Sequence, residues 1–119
     1  MNKDDFILKM FHAKPTLDEE RVRDVVQRSI DSNLSDGNPR GHRNLIIVME
    51  ELSELSKEVA KVLRGKGDHV SVLEELADVK LVSYYLQDIC NISDKELAQA
   101  LNVKVERLDN ILKTEGQQL

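Results

Sequence analysis

The sequence has few aromatic residues, a single cysteine and no long apolar run. Its aromatic side chains are Phe6, Phe11, Tyr84 and Tyr85, and there is no tryptophan. Leu and Val must therefore fill the core, which favours helix-on-helix packing over a sandwich or barrel. Cys90 is the one cysteine, so no disulfide can close within the chain. That fits a reducing cytoplasm. No stretch approaches the roughly 18 apolar residues of a membrane span. Met1 to Pro15, interrupted by Asp4 and Asp5, does not read as a signal peptide. Positive charge is also short. Seventeen Lys and Arg against 22 Asp and Glu leave a net charge of −5. No bulk positive field exists to attract nucleic acid. A free mononucleotide stays open as a ligand, because a metal can supply positive charge locally.

What remains is a charged, aliphatic chain. Charged residues make up 33% and apolar residues 40% of the 119 positions, the balance of a globular protein and not of a disordered one. The length suits one domain, 1–119, and not two. A chain this short would gain by sharing its core with identical subunits.

Periodicity divides the chain into helices. Phe6, Ile7, Met10 and Phe11 fall at helical spacing and predict a short helix or docking arm, stopped at Pro15 and Thr16. Thr16 or Asp18 can cap the next helix, expected over about 18–33 from Val22, Val25, Val26 and Ile30. Residues 33–41 are loop chemistry. From about His42 to Leu63 an apolar seam runs through Leu45, Val48, Leu52, Leu55, Val59 and Val62, with Gly65 placed to end the helix. Ser71 and Glu74 have capping-box spacing and open a helix to about Cys90 that is apolar over much of its girth, as a central bundle helix should be. Ser93 and Glu96 repeat the spacing before a last helix carrying Leu97, Leu101, Val105, Leu108 and Leu112, with 114–119 expected to fray. The expected fold is an all-α bundle of four to five helices.

Two consecutive helices carry paired acids. The first holds Glu50, Glu51, Glu54 and Glu58; the second holds Glu74, Glu75 and Asp78. At about 100° per residue, Glu51, Glu54 and Glu58 share a sector of roughly 60° that starts about 70° from the middle of the apolar seam. Glu75 and Asp78 lie beside the second stripe in the same way. Carboxylates clustered at a helix boundary repel and resist burial unless a cation compensates. Mg²⁺ prefers such oxygens and keeps waters and substrate phosphates as its other ligands. The pattern thus points to a Mg²⁺ site of the phosphoryl-transfer type. The alternative is a solvated acidic face on a helical interaction module, with Lys57, Lys61 and Lys80 as partners.

The spacing Glu51-x-x-Glu54, then 20 residues, then Glu75-x-x-Asp78 resembles the signature of the MazG-like, all-α nucleoside triphosphate pyrophosphohydrolases. The doubled acid Glu50-Glu51, the pair Glu54-Leu55 and the run Glu74 to Asp78 match the flanking pattern. Asn102-x-Lys104-x-x-Arg107 is similar to the family's late element, although Val105 and Leu108 depart from its usual residues. The resemblance covers about 42–110. It implies hydrolysis of (deoxy)nucleoside triphosphates to monophosphate and pyrophosphate. It also implies Mg²⁺, or Mn²⁺ in its place, on Glu51, Glu54, Glu75 and Asp78. Glu51 or Glu50 would then activate water, Asn102, Lys104 and Arg107 would contact the nucleotide, and a homodimer or homotetramer would complete the site. A different phosphohydrolase, cleaving elsewhere in the phosphate chain, is a further alternative.

Other residues carry less. His12, His42 and His69 read as surface or loop residues, and no Glu-x-x-His is present to suggest a di-iron bundle. Arg40, His42 and Arg43 read as a solvated basic turn. Tyr84 and Tyr85 suit core or subunit contact. Cys90 reads as a small buried apolar residue. Lys66 lacks the context of a P-loop.

Overall fold

The computed structural model describes residues 2–33, 37 and 39–117. It is all-α, with five helices and, among the described residues, no strand. They are α1 (Lys3–His12), α2 (Glu19–Ser32), α3 (His42–Leu63), α4 (His69–Ile89) and α5 (Asp94–Gln117).

Helix ends follow the side chains that can satisfy their backbone. Asn2 caps α1 by accepting from the Asp5 amide at 2.8 Å, and Asp18 caps α2 by accepting from Arg21. Of the two expected candidates, Asp18 therefore does the work and Thr16 does not. Gly65 ends α3 in the left-handed region. The amides of Gly65 and Lys66 donate to Val62 and Lys61, closing the last turn. The Ser93–Glu96 box forms in both directions, each pairing at 3.1 Å. The Ser71–Glu74 box does not form. Asp68, three residues earlier, accepts from both the Ser71 amide and the Ser71 hydroxyl, so α4 starts at His69. The Lys3 ammonium, followed by these Ser71 donors, holds the Asp68 carboxyl well below the usual carboxylate range.

Part of the expected loop over 33–41 is described, and that part is non-helical; 34–36 and 38 lie outside the described residues. At its end Gly41 has φ +83°, and a Cβ there would meet Ile89 at 2.6 Å. Expected fraying after 113 is not found up to 117. The Thr114 hydroxyl donates to the Asn110 carbonyl at 2.9 Å and the helix continues; 118–119 lie outside the described residues.

α4 is central, as its broad apolar girth predicted. α3 lies along it, and α2 and α1 pack on it. Among the described residues the buried apolar side chains are few: Val26, Ile30, Val48 and Val82. Asn44 is buried with them, accepting from Asn33 at 3.0 Å and donating to the Ser29 hydroxyl at 3.3 Å. Its polar groups are thereby satisfied, and α2 and α3 are joined in one register. The α3 seam is only partly used: Leu52, Val59 and Val62 remain about half exposed.

α5 meets the rest of the chain at its N-terminus. Asp94 accepts there from Gln87 at 2.9 Å and from Arg23. Every described side chain from Cys90 to Gly116 is exposed. This corrects the expectation of a buried Cys90. The residue caps the C-terminus of α4, past the stripe that packs, where the chain turns outward.

Candidate metal centre

The acids meet where α3 and α4 run side by side. Glu51 on α3 and Glu75 and Asp78 on α4 each offer an oxygen, and these oxygens all lie within 4.8 Å of one another. All three residues are half-buried. The helices bring them together because each acid flanks the apolar stripe that its helix presents to the other.

The electrostatics are unfavourable as the chain stands. Burial, followed by the charges of Asp78 and Glu75, pushes the Glu51 carboxyl up to about 7. Burial, followed by Asp78 and Glu54, also raises Glu75. One oxygen of Glu51 and one of Glu75 are buried with no hydrogen-bond partner. A buried, unpartnered carboxylate oxygen costs roughly 1–3 kcal/mol or more. A divalent cation would fill this gap: oxygen ligands, close spacing and uncompensated negative charge are what Mg²⁺ takes.

The structure divides the expected site residues. Glu51, Glu75 and Asp78 converge. Glu54 is exposed and pairs with Lys57 at 3.1 Å, one turn from the trio and still near enough to raise both Glu51 and Glu75. Glu50 is exposed, about 100° round the helix from Glu51. Asn102, Lys104 and Arg107 are exposed on α5 and are not brought to the acids within one chain. Glu58 belongs closer to the cluster than its motif position suggested. One of its oxygens pairs with Lys61 at 3.0 Å and the other is buried without a partner. The signal for it was angular, since Glu58 falls between Glu51 and Glu54 round the helix.

Other side chains fall as follows. His12, His42 and His69 are exposed, as expected. Arg40 is not simply solvated: it donates to Asp88 at 2.6 Å and lies 3.7 Å from Asp31, tying the turn before α3 to α4 and α2. Tyr84 and Tyr85 are half-buried, and the Tyr85 hydroxyl lies 3.3 Å from that of Ser29. Among the described residues no helix is long and apolar enough to cross a membrane. Compared with family models, with curated proteins and with solved structures, the chain matches none of them.

Proposed function

We propose that the chain is a Mg²⁺-dependent hydrolase of (deoxy)nucleoside triphosphates, releasing monophosphate and pyrophosphate. One observation carries the reading: Glu51, Glu75 and Asp78 converge across α3 and α4, with a buried oxygen of Glu51 and of Glu75 left unpartnered. The resemblance of the acid motifs to the MazG-like pyrophosphohydrolases selects the reaction from those a Mg²⁺ site can serve.

Glu51, Glu75 and Asp78 would hold a divalent cation, with Glu54, one turn away, as the further carboxylate the motif supplies. A bound divalent cation supplies positive charge to the oxygens of the phosphate chain. Glu51 or its neighbour Glu50 orients the attacking water and takes its proton. Lys104, Arg107 and Asn102 have the chemistry to contact phosphate and sugar. A single chain carries them away from the acids, so the reading stands on the acids alone. Mn²⁺ is expected to substitute for Mg²⁺.

The test is a panel of nucleoside triphosphates assayed with Mg²⁺ and resolved by product. Pyrophosphate plus monophosphate is expected, with Glu51→Gln lowering kcat at least about 100-fold. Orthophosphate plus diphosphate would move the cleavage to the terminal phosphate. No turnover, together with no Mg²⁺- or Mn²⁺-induced rise in melting temperature, would leave the acids solvated and the chain an interaction module.

A further inference from the structure

The chain is acidic overall, yet one cavity gathers cations that no carboxylate has claimed. It measures about 510 Å³ and opens where the corner between α1 and α2 passes over α4. Its floor is apolar: Leu17 and Val22 and Val25 on the side of the corner, and Leu81 from α4. Leu17, Val25 and Leu81 are 64, 42 and 42% exposed there. His12, Lys14 and Arg21 stand round the rim. Among the described residues, Lys14 and Arg21 form no ion pair, whereas Arg23, Arg28 and Arg40 each meet a carboxylate. Asp18 is the one acid among the described lining residues, and its carboxylate is already engaged in capping α2 through the Arg21 amide at 3.2 Å.

A concave apolar floor with a few polar groups at its edge is how small-molecule sites are built, and the volume falls in their range of about 300–1,000 Å³. An apolar floor alone would suit any aliphatic group. Uncompensated positive charge at the rim selects a ligand that joins an apolar body to an anion.

The position of the cavity narrows the ligand further. Leu81 follows Asp78 by three residues on α4. Side chains at that spacing are neighbours, with about 5–6 Å between their Cβ atoms. The cavity therefore adjoins the acidic centre within one chain, which Lys104 and Arg107 on α5 do not. One helical turn is also the scale of a ribose, the unit that separates a base from its α-phosphate. An α-phosphate held beside Asp78 would set its base over Leu81.

We infer that the cavity under the α1–α2 corner is the nucleoside subsite, with the base on Leu17, Val25 and Leu81 and the phosphate chain drawn across the rim by Lys14 and Arg21. The choice of a nucleotide as ligand rests on the hydrolase reading.

Magnetic resonance titration of the isotopically labelled full chain, with Mg²⁺ present, tests it. Nucleoside monophosphates should shift the amides of residues 12–25 and of Leu81, whereas inorganic pyrophosphate should leave Val25 and Leu81 unmoved. Lys14→Ala with Arg21→Ala replaces two exposed side chains. The double variant should keep the wild-type melt and bind monophosphates at least about 10-fold more weakly. Monophosphate shifts confined to other helices, no binding at millimolar monophosphate, or wild-type affinity in the double variant would each overturn the subsite, even in a chain that hydrolyses triphosphates. Shifts at the cavity in a chain that turns over no triphosphate would sink the hydrolase reading and leave the subsite standing as a nucleotide-binding site.

Discussion

The α3–α4 pair and α5 have similar sequence patterns and different environments. Both carry aliphatic residues at helical spacing and charges on the remaining faces. α4 finds α3, α2 and α1 against it, and Val48 and Val82 are sealed between helices. α5 is longer, equally striped and bare. Hydrophobic periodicity specifies a face on a helix and says nothing of whether the same chain supplies the cover. The difference lies in connection. α3 and α4 are joined by a turn that folds the chain back, whereas the α4–α5 turn directs the helix outward.

The largest effect expected from this contrast is in core truncation. Ile30→Ala removes side-chain volume from a fully buried site and should cost about 2–4 kcal/mol. Leu108→Ala, at a side chain 57% exposed, should cost less than about 0.5 kcal/mol by chemical denaturation of the dilute protein. Similar losses at the two sites would break the comparison. A smaller effect of opposite sign is expected at the acids. Glu51→Gln should stabilise the metal-free bundle by on the order of 1–2 kcal/mol at pH 8. It should also remove most of the melting shift produced by Mg²⁺.

The pH dependence follows from the same group. The folded chain holds the Glu51 proton up to about pH 7, against 4.5 for the unexposed-to-neighbours carboxyl of the unfolded chain. The folded state binds the extra proton across that window. The contribution to stability is complete below about pH 4.5 and is lost as pH rises through 7. Metal-free thermal melts should therefore fall between pH 5 and 8 in the wild type and less so in Glu51→Gln. A further, local effect belongs to the start of α5. Ser93→Ala removes one half of the box that starts the helix and should cost about 1 kcal/mol. Hydrogen exchange should detect it as faster exchange in α5 only, with α2–α4 unchanged.

Much of the fold was legible because the signals were local. Gly65 and the Ser93–Glu96 box act within a few residues of themselves, and both behave as the pattern predicts. Where two local signals competed, spacing alone did not decide. Ser71-x-x-Glu74 fits a box, yet the ionised Asp68 is the stronger acceptor and takes Ser71 for itself. The acids show the same limit. Glu51 is nearest the seam, about 70° from its middle, and turns inward; Glu54 is about 130° away and faces solvent with Lys57. A shared sector is thus a weaker statement than a shared site. Cys90 was misread because composition gives an average burial, while position at a helix end decides the individual case. The direction of α5 was not legible at all, since no pattern of apolar residues encodes the angle between consecutive helices.

That angle is held by the short α4–α5 joint. Asn91 adopts the left-handed region, the Ile92 amide donates to the Gln87 carbonyl at 2.8 Å, and the Gln87 side chain reaches Asp94. The joint is a fixed elbow made from hydrogen bonds, and α5 is the lever arm attached to it. Over a helix of 24 residues, a small change in the elbow would swing the far end of α5 through a large arc. Residues 90–94 thus set where the exposed face of Leu101, Val105, Leu108 and Leu112 lies without belonging to it.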